Sequence, residues 1–380
     1  MRNSFIAIVL SGVSVTAMAG SRDQAKRIHD RVAGIPPSEA VLTQMAALID
    51  QGNAKGAAAV AIENEAFLKI TVKNLATTWT TMEKSVDAPL NDYSATVIGF
   101  VRDDLDVRRL TSDDLIYTAA DGLTGVAVYS PLNNTHYANF EAGTFSYKTQ
   151  LVQKPQATTT THGVAAGVLT LRGFGETYYQ AGTNRRAFEA VVNTFLCKKM
   201  EQMHDVTRPD GYVRRDVDRA PGGNPVEYRN KCAGCHSGMD PLSKAFAHID
   251  FVPIGTTGSR IVYDEATIPA KLLRNADTFP GGYEYKDDQW VNMWTEGQNA
   301  VYGWKGAATG AGLKSFGEMI AATDRFGDCM AETVFARVCL HPATTDSEKV
   351  AFKKMTADFK AGGYKMKGLF ADSAVACMGE

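Results

Sequence analysis

The chain has 380 residues, 44% of them hydrophobic and 22% charged, with 40 Lys and Arg against 42 Asp and Glu. This is ample material for a core and too much for one small fold, so two or three subdomains are expected. A formal net charge of −2 argues against a nucleic-acid partner or a polybasic membrane contact.

Arg2 gives a positively charged start, Ser4 to Val15 is largely apolar, and Ala17-Met18-Ala19 has the small-x-small pattern of a signal-peptidase site. Residues 1–19 therefore read as an export signal that leaves Gly20 first in the mature chain. The apolar stretch is too short to span a bilayer, and no later run is long enough, so no integral membrane segment is expected after cleavage. The expected location is the periplasm or beyond.

Helices dominate from there. Ile28 and Val32 mark a short helix that Gly34 ends, and Ser38 with Glu39 opens the next. Val41, Leu42, Met45, Leu48 and Ile49 make its inner stripe. Helical character continues from Lys55 to Met82, and Asn133-Asn134 reads as a turn before His136. A further helical section covers Ala187 to Met203. Residues 205–226, with Pro209, Pro221, Pro225 and Gly222-Gly223, read as a surface loop. Ile261, Tyr263 and Phe279 to Tyr285 suggest a small β element.

Phe326, Met330, Val334 and Val338 then repeat every four residues on one helix face. Thr345 with Glu348 forms a capping-box pattern, Gly362-Gly363 closes that helix, and Leu369, Phe370 and Ser373 lie on another. The fold class expected is mainly α with minor β. Its parts are an N-terminal helical domain at 20–156, a middle domain at 157–310 and a C-terminal helical domain at 311–380.

The middle domain carries the chemistry. Cys232-Ala233-Gly234-Cys235-His236 is a C-x-x-C-H pentapeptide, the pattern at which haem c is attached. Thiols two residues apart can each form a thioether with a porphyrin vinyl group, and the adjacent imidazole binds the iron axially. Cys232 and Cys235 are thus the candidate attachment residues and His236 the proximal ligand of one covalent haem. The other cysteines, Cys197, Cys329, Cys339 and Cys377, permit two disulfides in three pairings. The preferred set joins Cys329 to Cys377 and Cys197 to Cys339.

The stretch from Cys232 through Ser237-Gly238-Met239-Asp240-Pro241-Leu242, on to Ala245 and Asp250, resembles the planctomycete-type cytochrome c domains. Two other blocks are similar to segments of that family: Ala166 to Thr170 followed by Asn184-Arg185-Arg186, and Asp324-Arg325-Phe326 through Met330 and Phe335-Ala336-Arg337. The family implies an exported, multi-part haem protein engaged in electron transfer. This chain departs from its common pattern at Ser243, His248 and Cys339-Leu340-His341, positions outside the C-x-x-C-H attachment motif.

The sixth iron ligand decides what such a haem does, since a Met thioether raises the potential and bis-His lowers it. Met293, near Trp290, Trp294 and Trp304, is the candidate distal ligand, with Met319, Met203, His204 and His162 as the others. Arg185-Arg186 and Arg214-Arg215 could pair with haem propionates, but a solvated surface position is the expectation for each. The function read from these features is single-electron transfer between unidentified periplasmic redox proteins. An open iron site would instead fit a haem oxidoreductase or peroxidase-like enzyme, and a redox-silent haem a surface protein with a structural cofactor.

Overall fold

Local capping signals mark the ends of several helices in the computed structural model, which describes residues 19–379. The expected export signal up to Met18 lies outside them. Helix Ser21–Ala33 ends where Gly34 takes a φ of 76° and donates its N–H to Asp30 O at 3.1 Å. Ser38 Oγ accepts from Val41 N and opens helix Glu39–Asp50. Thr345 and Glu348 exchange both capping-box hydrogen bonds at the start of helix Asp346–Ala361.

The chain is 55% helical and 8% strand, which bears out the mainly α class with minor β. The strands form three separate antiparallel pairs: Ile116–Ala119 with Leu151–Lys154, Ile249–Ile254 with Gly258–Tyr263, and Gln289–Val291 with Thr309–Ala311. In the second pair Phe251 stands opposite Ile261. The expected β character at Phe279 to Tyr285 is absent apart from a single bridge between Tyr283 and Arg214. Tyr283 N donates to Val213 O and Arg215 N to Tyr283 O, both at 3.0 Å, a pairing too short to make a strand. No helix of the described residues is long and apolar enough to cross a membrane.

One apolar cluster runs from Ala25 to Ala374 and joins the early helices, the middle of the chain and the late helices. Phe67 meets Phe370 edge-on at 5.0 Å, and Phe195 stacks on Phe326 at 5.9 Å. Helix Ser21–Ala33 is also tied to distant backbone by polar groups. Gln24 Nε2 donates to Gly379 O at 2.8 Å, Arg27 Nη1 to Met378 O at 2.9 Å, and Arg31 Nη1 to Cys339 O at 2.5 Å.

The disulfides are Cys197–Cys329 and Cys339–Cys377, with Cα separations of 5.3 and 5.7 Å. This corrects the preferred pairing. Cys329 and Cys339 occupy one helix, Asp324–Cys339, about 15 Å apart along its axis. The end of helix Arg185–Leu196 packs at the first, and the end of helix Met366–Ala376 packs at the second. Each late-helix cysteine therefore finds the thiol beside it.

Candidate functional site at the C-x-x-C-H helix

The motif lies on helix Ala233–Ser243, entered through a π-helical turn at Tyr228–Cys232. Asn224 Oδ1 accepts from Val226 N, and Pro225 stands at the first helical position, so the approach is capped before the thiols are reached. Pro241 inside the helix removes a backbone donor, and the chain tightens into a 3₁₀ turn at Lys244–Phe246.

Helical spacing sorts the motif by side. Residues 232, 235, 236, 239 and 240 are related by three and four positions and share one face. Cys232, Cys235 and His236 are each partly exposed there, and neither cysteine is in a disulfide. Cys235 Sγ lies 3.5 Å from Met200 O, and burial, with Glu201 and Cys232 adding to it, pushes its thiol up. Gly234 and Gly238 occupy the other side, against the protein. A Cβ on Gly234 would stand 2.6 Å from the His204 ring, and one on Gly238 2.0 Å from Trp294 Nε1. Only glycine allows that approach.

His236 is oriented by a buried carboxylate. Its Nδ1 lies 3.1 Å from Asp240 Oδ1, and because a carboxylate only accepts, Nδ1 carries the proton. The lone pair is then on Nε2, which has no hydrogen-bond partner among the described residues. Asp240 is fully buried. It accepts from Arg185 Nε at 2.7 Å, from Arg185 Nη2 at 2.9 Å, and from the Arg214 backbone N–H at 2.9 Å. Burial by itself would raise the Asp240 carboxyl; Arg185 and His236 outweigh it and hold the group well below the usual carboxylate range. Arg185 also grips Asp216 at 2.8 and 2.9 Å, and Arg214 reaches Asp216 at 3.2 Å while lying over the Tyr285 ring. Tyr285 Oη donates to Asp240 O at 2.5 Å.

These contacts correct two expectations. Arg185 and Arg214 are not solvated surface groups: Asp216 and Asp240 hold the Arg185 side chain, and Asp216 with the Thr183 and Leu272 carbonyls holds that of Arg214. They are committed to those carboxylates and are not free for propionates. Residues 205–226 are not simply a surface loop either: Asp205, Val213 and Arg214 are buried, and this stretch braces the motif helix. Arg186 and Arg215 stay nearer the surface, the latter paired with Glu284. The part of Asp240 was open to recognition in the sequence, as a carboxylate four residues beyond His236 on a helix.

The other candidates are scattered. Met293 is half-buried on a 3₁₀ turn, Met293–Thr295, whose Trp294 reaches the motif helix at Gly238, a different side from that of His236. Met319 is buried and its Sδ accepts from Asn292 Nδ2, while Met203 is a core residue. His162 donates from Nε2 to Thr170 O at 2.9 Å and keeps a buried Nδ1 without a partner; burial pushes this imidazole down to about 4. His136 is held between Ala119 N and Ala127 O, a structural role.

Among the described residues no three His, Cys, Asp or Glu side chains come together to hold a bare ion. The donor set suits a metal that arrives inside its own macrocycle, which needs one axial imidazole and two thiols spread along a helix face. Next to the entry turn is a cleft of about 390 Å³ lined by Val213, Arg219, Tyr228, Arg229 and Phe279 among others, within the volume range of small-molecule sites. Arg219 lies between the Tyr228 and Phe279 rings, at 4.8 and 4.7 Å. Comparison with protein-family models, curated proteins and solved structures found no match to this chain.

Proposed function

We propose that this chain is an exported c-type cytochrome that holds one covalent haem and passes single electrons between redox proteins outside the cytoplasmic membrane. One observation carries the proposal. Four of the six cysteines are closed in disulfides, and the two that remain thiols are those of C-x-x-C-H, on one helix face with His236. The disulfides fit an oxidising compartment, and the resemblance to planctomycete-type cytochrome c domains points the same way.

Haem c, when bound, supplies a one-electron Fe(III)/Fe(II) couple. Cys232 and Cys235 would hold it through their sulfurs, and His236 would present the Nε2 lone pair. Asp240 keeps the proton on Nδ1 and fixes the ring plane. Arg229, exposed in the adjoining cleft, would be a cation available to acidic ring substituents, whereas Arg219 is held by the Val213 and Val217 carbonyls.

The test is a pyridine haemochrome spectrum and intact mass of the protein made in a host that assembles c-type cytochromes. Haem bound through two thioethers is the expected result. Colourless protein with the mass of the bare polypeptide would end the proposal.

A further inference from the structure

We infer that Asp240 is a positioning residue that lowers the reduction potential of iron bound by His236, and that Arg185 limits how far; this rests on the haem reading above. The partner of a ligating imidazole's second nitrogen sets ring orientation and basicity. Here that partner is an ionised carboxylate, not a backbone carbonyl, at 3.1 Å from Nδ1. It sits four residues away on the same helix, so helix geometry fixes its place. It is wholly buried, where solvent cannot screen its charge.

A carboxylate accepting Nδ1–H draws that proton toward itself and leaves more electron density on Nε2. A more basic Nε2 favours ferric over ferrous iron. Asp240 does not act with its full charge, however. Arg185 binds both of its oxygens, and Asp216 in turn binds Arg185. The four groups form a chain, Asp216–Arg185–Asp240–His236, in which each charge moderates the next. One electron from a redox donor would reduce bound haem iron from ferric to ferrous, while this chain keeps the proton on His236 Nδ1 and breaks no bond.

The chain of charges predicts opposite signs for two substitutions. Asp240→Asn keeps an oxygen acceptor but removes the charge, and should raise the midpoint potential of the haem-loaded protein. Arg185→Gln leaves Asp240 unneutralised and should lower it. A tenfold change in relative ferric and ferrous stability corresponds to about 59 mV for one electron. Spectroelectrochemical titration of the full-length protein, with haemochrome stoichiometry measured on each sample, reads both. Opposite shifts with haem attached support the inference. Unchanged potentials, or shifts of one sign, overturn it while leaving the cytochrome reading intact. Should Asp240→Asn not accumulate, Arg185→Gln decides alone, a downward shift supporting and any other result refuting. Native protein without haem sinks both readings.

Discussion

The close approach at Gly238 gives a stability prediction with a built-in control. An Ala side chain there would place its methyl carbon 2.0 Å from Trp294 Nε1 and 2.3 Å from Cε2. Comfortable carbon contacts are about 3.5–4.0 Å, so ring and helix must separate by roughly 1.5 Å. Trp294 has no room to retreat, being fully buried and packed on Phe188 at 5.8 Å and Trp304 at 6.0 Å. Overpacking of this kind costs about 1–3 kcal/mol, and a clash with three ring atoms of Trp294 belongs at the top of that range. Ala is better than Gly inside a helix by about 1 kcal/mol, so the expected net loss for Gly238→Ala is about 2 kcal/mol. Gly368, inside helix Met366–Ala376, has nothing within 4 Å of its added methyl. There the same substitution should gain up to about 1 kcal/mol. Urea unfolding followed by far-UV circular dichroism reads both as shifts in midpoint at constant slope. A Gly238→Ala protein that unfolds at or above the native midpoint would refute the packing assigned to Trp294.

Non-reduced peptide mapping should recover Cys197 linked to Cys329 and Cys339 linked to Cys377; a Cys329–Cys377 peptide would contradict the fold. With sequence separations of 132 and 38, chain entropy gives losses of about 5 and about 4 kcal/mol for removing each bridge as a Cys-to-Ala pair. His162 supplies a pH test. Its imidazole is pushed from its ordinary 6.5 down to about 4, so the folded state favours the neutral ring. That stabilisation is complete above pH 6.5 and is lost as pH falls from 6.5 toward 4, by at most about 3 kcal/mol for a half-buried ring. His162→Gln should flatten the fall in urea midpoint over this window; an unaltered pH profile would count against it. Because the Met293 turn meets the motif helix at Gly238, away from His236, Met293→Ala in haem-loaded protein should leave any far-red charge-transfer band unchanged, and loss of the band would restore Met293 as the distal ligand.

What could be read from the sequence was mostly local. The Gly34 stop, the Ser38 cap and the Thr345–Glu348 box depend on residues within four positions of one another, and each formed as expected. The C-x-x-C-H spacing is equally local, and a carboxylate at the fourth position after His236 lay in plain view. The charged network behind it was hidden, because Arg185 meets partners 31 and 55 residues away. Two adjacent arginines look the same in a sequence whether water or a buried aspartate neutralises them. Disulfide pairing failed for a related reason. Sharing a helix says that Cys329 and Cys339 are close in sequence, but the elements packed at each end choose their partners. Pro253 inside Ile249–Ile254 disguised a strand that survives because it belongs to a two-stranded pair with free edges.

Helix Ser21–Ala33 is held by backbone oxygens of Cys339, Met378 and Gly379. A ribosome makes those groups more than three hundred residues later, so this helix emerges long before the surface that completes it. Its docking therefore waits until nearly all of the described residues have been synthesised, whatever order the elements between them fold in.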